Sequence, residues 1–213
     1  MNHERALFPH NKLEWKINDL TNKSGRAGGN IVLLVQLMKL HLSRAMFHDG
    51  GEQDCAHAKR HGDRILQEDD NNVDAIAMIA LSLVYLGRQE EAERYLAKGH
   101  DIDSDNTFLN LATGVYYRSH NYLAQTVEYW ARALEHAPRV WEIHRMLGTA
   151  YLQRYHDQSL EKAHQERLGQ RSLFHLIRAL QSRNDLDLDP NYLKELGYAC
   201  LINKYNREAE RYF

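Results

Sequence analysis

The chain has 213 residues, of which 43% are hydrophobic and 26% are charged, and its formal net charge is −2 at pH 7. This composition is typical of a soluble globular protein rather than a disordered one, and the length suffices to bury a core. A net charge so close to zero provides no field that would attract a phosphate backbone, so we expect no nucleic-acid partner.

Two cysteines, Cys55 and Cys200, are too few for a disulfide framework and indicate reduced thiols in a cytoplasmic protein. The N-terminal sequence MNHERALFPHNKLEWK has no continuous apolar stretch, so it does not resemble a secretory signal. The most apolar segment, 31–40, is too short to cross a bilayer and contains Gln36 and Lys39. We therefore predict a cytoplasmic protein that does not insert into a membrane.

Residues 1–30 are predicted to be a separate N-terminal segment that could form a short helix, and residues 31–213 are predicted to form a repeat domain. Segments that start at Val73, Thr107 and Trp141 align with a constant spacing, since 107 − 73 = 34 and 141 − 107 = 34. A period of this length is typical of repeat architectures, in which every copy is one supersecondary unit.

Aligned positions in these segments share a side-chain size. The eighth position is small and the eleventh is large: Ala80, Gly114 and Gly148, then Leu83, Tyr117 and Tyr151. Small residues let two antiparallel helices approach, and large residues fill the gap beside them. A turn residue near the fifteenth position, such as Gly87, ends the first helix. Each helix pair leaves one apolar face uncovered, so the copies must stack.

The predicted copies differ in how closely they follow the period. The first is degenerate, the fourth contains an insertion at 154–170 that extends its helices or forms a projecting arm, and the last is truncated. Their bounds are 36–72, 73–106, 107–140, 141–189 and 190–213. Because a polar capping helix normally closes such an array, we expect the chain to be a fragment of a longer protein.

The order Leu-Gly, Tyr, Ala, aromatic, Ala-Leu and Pro resembles the tetratricopeptide repeat. The segment from Thr107 to Val140 is the best match, with the motif residues Gly114, Tyr117, Trp130, Ala133, Leu134 and Pro138. The resemblance implies an all-α fold, a right-handed superhelical α-solenoid of stacked antiparallel helix pairs with about four to five repeats. It also implies protein binding rather than catalysis.

No catalytic signature occurs in the sequence, so we predict that the chain is not an enzyme and has no cofactor. His57 and His61 lie one helical turn apart with Cys55 nearby, but a metal site would need further ligands. We interpret them as part of a solvated helix face. The string of Asp101, Asp103 and Asp105 lacks the glycine and glutamate of a calcium loop, so we predict no metal site.

In the family, the first helices of successive repeats line a concave groove that grips a peptide or helix. The positions that the resemblance assigns to this groove come from three copies: Asp74, Ala77, Leu81 and Tyr85; Phe108, Leu111, Val115 and Arg118; Glu142, Arg145 and Thr149. Many of them are apolar, and an exposed apolar patch usually marks a partner site. We expect an amphipathic helix or an apolar strand to bind there.

The sequence therefore favours a non-enzymatic scaffold or adaptor that binds another protein in an apolar groove. Two alternatives remain open: a structural module that self-associates as a homodimer, and a regulatory or targeting domain of a larger enzyme. The groove could also be filled from within, either by the apolar segment from Leu13 to Leu20 or by a second copy of the chain.

Overall fold

The computed structural model of the chain describes residues 13–26, 30–47, 51–182 and 190–213. These residues form eleven helices and no strand. The helices are α1 (Leu13–Arg26), α2 (Ile31–Phe47), α3 (Glu52–Glu68), α4 (Val73–Tyr85), α5 (Gln89–Ile102), α6 (Thr107–Ser119), α7 (Leu123–His136), α8 (Trp141–Tyr155), α9 (Lys162–Ser182), α10 (Pro190–Ile202) and α11 (Asn206–Ala209).

The helices fall into two compact units, α1–α6 and α7–α11, divided between Asn121 and Tyr122. In the first unit each helix packs against the next along the chain, and α4 also packs against α2 and α6. Helix α4 therefore has four neighbouring helices, and all of its residues from Ala75 to Val84 are buried. It is the central element of this unit.

In the second unit α8 and α9 form the most extensive helix pair, and α10 packs against both of them. Six side chains form its apolar core: Trp141, Leu176, Ala179, Tyr192, Leu196 and Ala199. Gly148 brings α8 close to α9, because a Cβ atom there would lie 2.6 Å from Leu176 Cγ and 3.1 Å from the Leu176 backbone nitrogen. The eighth position of this copy is thus small because a larger side chain would clash with the neighbouring helix.

Three of the helices are followed by a residue with the same left-handed backbone conformation. Gly87, Asn121 and Lys204 follow α4, α6 and α10 with φ values of 73°, 61° and 64°. After α4 the Arg88 amide donates to the Leu83 carbonyl at 2.9 Å, and after α10 the Tyr205 amide donates to the Cys200 carbonyl at 2.9 Å. This 6→1 hydrogen bond is the C-terminal capping arrangement that a left-handed residue permits.

The prediction of an all-α fold built from adjacent helix pairs is confirmed. The copy predicted at 73–106 contains α4 and α5, and the copy predicted at 141–189 contains α8 and α9. The insertion at 154–170 comprises the end of α8, the turn at 156–161 and the first half of α9, which reaches 21 residues. The added residues therefore lengthen the second helix.

The described part of the N-terminal segment is helical. In α1, Ile17 and Leu20 pack against Leu40 of α2, whereas Trp15 is 65% exposed. The packing partner of α1 is thus α2, and residues 1–12 and 27–29 of the segment lie outside the described residues. None of the described helices combines the length and the apolar character that a bilayer span requires.

Candidate functional site

The predicted groove residues on α4 and α6 are mostly buried. Ala77 and Leu111 are 0% exposed and Leu81 is 1% exposed, while Phe108 and Val115 reach 9% and 7%. The expectation of an exposed apolar wall is therefore wrong at these five positions. Its physical reason is that α4 packs against four helices, so that ten consecutive residues are covered instead of one helix face.

We call the surface formed by the predicted groove residues of α4 and α6 the α4–α6 face. At the N-terminal ends of the two helices this face is polar, and its side chains form hydrogen bonds with one another. Asn106 caps α6, since its side-chain oxygen accepts from the Leu109 amide at 3.0 Å, and its side-chain amide donates to Asp74 Oδ1 at 2.9 Å. The ammonium group of Lys39 from α2 lies 4.5 Å from the centre of the Phe108 ring. Burial lowers the pKa of Lys39, and the nearby charge of Asp74 opposes that shift.

The α4–α6 face is accessible at the C-terminal ends of the two helices. Tyr85 is 43% exposed and Arg118 is half-buried. Desolvation raises the pKa of the Tyr85 phenol to about 12, and the positive charge of Arg118 acts to lower it, so the two groups interact electrostatically. Tyrosine and arginine are among the residue types most enriched at energetically important interface positions. Tyr85 and Arg118 are thus the accessible predicted site residues at this end of the face.

In the second unit the predicted residues of α8 contact α10. The guanidinium of Arg145 lies 5.2 Å from the centre of the Tyr192 ring, and the Thr149 hydroxyl donates to Glu195 Oε2 at 3.0 Å. Glu142 is fully buried. Tyr192 and Glu195 were not predicted from the sequence. Counted from Pro190 they are the third and sixth positions, whereas the groove positions of the other copies are the second, fifth and ninth, so the same reading of the last copy would not have found them.

His57 and His61, the pair weighed above as metal ligands, lie beside His41 of α2. The ring centre of His41 is 4.9 Å from that of His57 and 5.7 Å from that of His61. Burial lowers the pKa of His61 to about 4, and the neighbouring histidines and arginines act in the same direction. Among the residues that the structure describes, no group of three potential ligands has a geometry that could hold a metal ion.

His41 belongs to a buried polar network that the sequence did not predict. Its Nδ1–H donates to Asp54 Oδ1 at 2.7 Å, and Arg44 donates to both oxygens of the same carboxylate at 2.8 and 2.6 Å. Burial acts to raise the pKa of Asp54, but these hydrogen bonds prevail and lower it. Burial also lowers the pKa of His41. The network joins α2 to α3 by charge-assisted hydrogen bonds.

A second histidine pair joins α8 to α9. His144 Nε2 donates to the Pro138 carbonyl at 3.1 Å, which leaves its Nδ1 to accept from His175 Nδ1–H at 2.9 Å. Burial lowers the pKa of His175 to about 4, and the charges of His144 and Arg171 add to this effect. The two residues are 31 positions apart, so no local pattern in the sequence could reveal the pair.

Neither a family model nor a curated protein matches the chain. Among solved structures, the human IFIT1 dimer with PPP-AAAA is similar, with a TM-score of 0.72 and 14% identity over 94% of this chain and 45% of that chain. MamA 41-end from Desulfovibrio magneticus RS-1 has a TM-score of 0.55 and 14% identity over 93% of this chain and 91% of that chain.

The chain spans less than half of the length of human IFIT1. IFIT1 and MamA are both tetratricopeptide-repeat proteins, and identities this low establish a likeness of fold alone. The chain thus has a tetratricopeptide-repeat-like fold of stacked helix pairs, as the resemblance in the sequence predicted.

Proposed function

We propose that the chain is a non-enzymatic binding module that takes a peptide or helix of a partner protein on the α4–α6 face. The observation that carries the proposal is the exposure of Tyr85 and Arg118 at the end of a face whose apolar residues are buried. The helical-repeat fold supports it, since such folds present faces of successive helices to their ligands. On this face Asp74 remains a candidate contact because it is half-buried, whereas Arg145 and Thr149 belong to the second unit and contact α10.

The buried apolar residues have a different role in this proposal from the one expected above. Ala77, Leu81 and Leu111 hold α4 and α6 in position, and the partner contacts the polar and aromatic groups at the rim. Truncation of a tyrosine or arginine at the centre of an interface typically costs about 2 kcal/mol, which is about 30-fold in affinity. Loss of both groups should therefore abolish detectable capture.

The test is an affinity capture with quantitative mass spectrometry, comparing the wild-type chain with Tyr85→Ala/Arg118→Ala. The matched control is Tyr205→Ala/Arg207→Ala, which removes the same residue types from exposed positions at α11. We expect the captured proteins to disappear with the first variant and to persist with the second. If both variants capture the same proteins as the wild type, the α4–α6 face is not the binding site.

Self-association is the first alternative occupant of this face. Light scattering over a range of protein concentrations measures it directly, and Tyr85→Glu should dissociate a dimer that uses the face. Phe108 is unsuitable for this purpose, because a charge at a residue only 9% exposed would also perturb the fold. A regulatory role within a larger enzyme remains a further alternative.

An oligonucleotide is the second candidate ligand, and one observation favours it: the similar IFIT1 structure contains PPP-AAAA. The formal net charge of −2 argues against it, because the affinity of nucleic-acid binding comes largely from neutralised phosphates. Fluorescence anisotropy with PPP-AAAA and with the same oligonucleotide lacking the triphosphate tests this candidate. We expect no binding of either.

A further inference from the structure

Helix α9 concentrates positive charge in a chain whose overall charge is slightly negative. It contains four basic residues and a single acidic residue: Lys162, Arg167, Arg171 and Arg178, and Glu166. Arg167, Arg171, Phe174 and Arg178 follow one another at steps of four, three and four residues, which places them on one side of the helix. We call these four residues the basic face of α9.

The orientation of α9 fixes the exposure of this face. Leu168, Ser172, Leu176 and Ala179 are buried, and Leu176 and Ala179 belong to the apolar core of the second unit. All four residues of the basic face are exposed, and Phe174 is 53% exposed. The helix cannot turn this face inward without removing Leu176 from the core.

The arginines of the basic face have no carboxylate partner within the described parts of the chain. Elsewhere such a partner is supplied one turn away, as for Arg88 with Glu91 and Arg132 with Glu128. On α9 every residue three or four positions from these arginines is uncharged or basic. Their charge is therefore not neutralised by the helix itself.

The contacts that these arginines do make leave donors available. The Arg178 guanidinium lies 5.6 Å from the centre of the Phe174 ring, and the Arg171 guanidinium lies 5.7 Å from the centre of the Tyr151 ring. Aromatic rings attract the positive charge but do not accept the in-plane N–H donors as a carboxylate does. Arg167 uses its Nε–H for the Ala163 carbonyl at 3.3 Å.

We propose that the basic face of α9 binds an acidic amphipathic peptide, with carboxylates on the three arginines and an apolar side chain against Phe174. Ile177, which is 37% exposed, extends the apolar part of the surface. Arg167 and Arg178 are separated by about 16 Å along the axis, at 1.5 Å per residue, which is the length of about three turns of a partner helix. This surface and the α4–α6 face belong to different units of the chain.

A single-stranded nucleic acid fits the surface less well. Such ligands use several aromatic platforms on which successive bases stack, and the basic face has one aromatic ring. The charge of the face thus matches carboxylates together with an apolar contact better than it matches a string of bases.

The experiment uses the full chain and two labelled peptides of about 16 residues built from Leu and Glu, or from Leu and Gln, in the same amphipathic order. Fluorescence anisotropy at low and at physiological salt measures their affinities. We expect the Glu peptide to bind at least about tenfold more tightly than the Gln peptide, with an affinity that falls as salt rises.

Charge reversal identifies the surface. In the variant Arg167→Glu/Arg171→Glu/Arg178→Glu, binding of the Glu peptide should fall about tenfold or more, and Phe174→Ala should weaken it severalfold. The control Lys194→Glu/Arg207→Glu/Arg211→Glu makes the same change in net charge at exposed positions of α10 and its C-terminal neighbours, and it should bind like the wild type. Circular dichroism confirms that each variant is folded.

Three results would overturn the proposal. Equal losses in the two triple variants would mean that only net charge matters. Tighter binding of an oligouridylate than of the Glu peptide would assign the surface to nucleic acid. A severalfold gain in affinity for the Glu peptide on changing Asp185, Asp187 and Asp189 to Asn would mean that this acidic segment of the chain occupies the basic face. Tyr85→Ala should leave peptide binding unchanged, so the outcome is independent of the function proposed above.

Discussion

Helices α4 and α9 differ in how much of their surface is buried, and their compositions differ accordingly. Helix α4 has one charged residue, Asp74, and its residues from Ala75 to Val84 are all buried. Helix α9 has five charged residues and buries only one side, along Leu168, Ser172 and Leu176. Both are parts of the same type of helix pair.

The difference follows the place of each helix within its pair, because the first helices α4, α6 and α8 bury eight to ten residues each, whereas the second helices α5, α7 and α9 bury three to five. A helix with neighbours on every side contributes to stability, and substitutions there act on folding. A helix that is buried on only one side has exposed residues that can bind a partner. The following predictions test this division, beginning with the largest expected effect.

A carboxylate placed in α4 should unfold the protein, whereas the same change on α9 should be tolerated. Leu81→Asp would bury a charge at a position 1% exposed, at a cost of at least about 4 kcal/mol. Phe174→Asp, at a position 53% exposed, should change the free energy of unfolding by less than about 1 kcal/mol. Urea denaturation followed by circular dichroism measures both, and similar losses would contradict the comparison.

The covered side of α9 should make stability sensitive to acid. His175 has its pKa lowered to about 4, so between its unfolded value near 6.5 and about 4 the unfolded chain binds more protons than the folded chain. Stability should therefore fall as the pH drops through that window, by about 1 to 2 kcal/mol. Thermal denaturation of the wild type and of His175→Gln measures this, and the variant should show a shallower dependence on pH.

The close approach of α8 to α9 should not accept a methyl group. Gly148→Ala would place Cβ 2.6 Å from Leu176 Cγ, and the backbone nitrogen at 3.1 Å limits the adjustment. We expect a loss of about 1 to 3 kcal/mol by urea denaturation. Gly51→Ala is the control, because no atom lies within 4 Å of its Cβ position. An equal effect of the two changes would exclude a steric cause.

The smallest effect concerns the turns. Lys204 has a positive φ of 64°, which favours glycine, so Lys204→Gly should stabilise the protein by about 0.5 to 1 kcal/mol. Gly87→Ala at the end of α4, with a φ of 73°, should destabilise it by about 1 kcal/mol. Opposite shifts in melting temperature are the expected result, and shifts of the same sign would disprove the shared turn conformation.

Local patterns in the sequence predicted the fold, but they did not predict the burial and the contacts of the candidate site residues. The 34-residue spacing located α4 to α8 because the small and large positions, such as Gly148 and Tyr151, reflect contacts within and between neighbouring pairs. Exposure of Leu81 depends on all four neighbours of α4, which no spacing within one helix encodes. The contacts of Lys39 with Phe108 and of His144 with His175 join residues from separate helices.

The basic face of α9 could have been recognised from the sequence, since it depends only on spacing within one helix. The net charge of the whole chain, −2, conceals this local excess of positive charge. The 21-residue length of α9 could not be predicted, because an insertion can either extend a helix or form a projecting arm. Of these two outcomes, only a projecting arm would have kept the arginines from lying together on one helix surface.

The left-handed turns after α4 and α10 also have a consequence for how the number of helix pairs can change in evolution. Each is closed by backbone atoms of the helix that it ends, as in the Arg88–Leu83 and Tyr205–Cys200 hydrogen bonds. The connection therefore makes no demand on the side chains of another copy, and both Gly and Lys serve in it. Duplication or loss of one whole hairpin in the gene would leave the remaining connections intact.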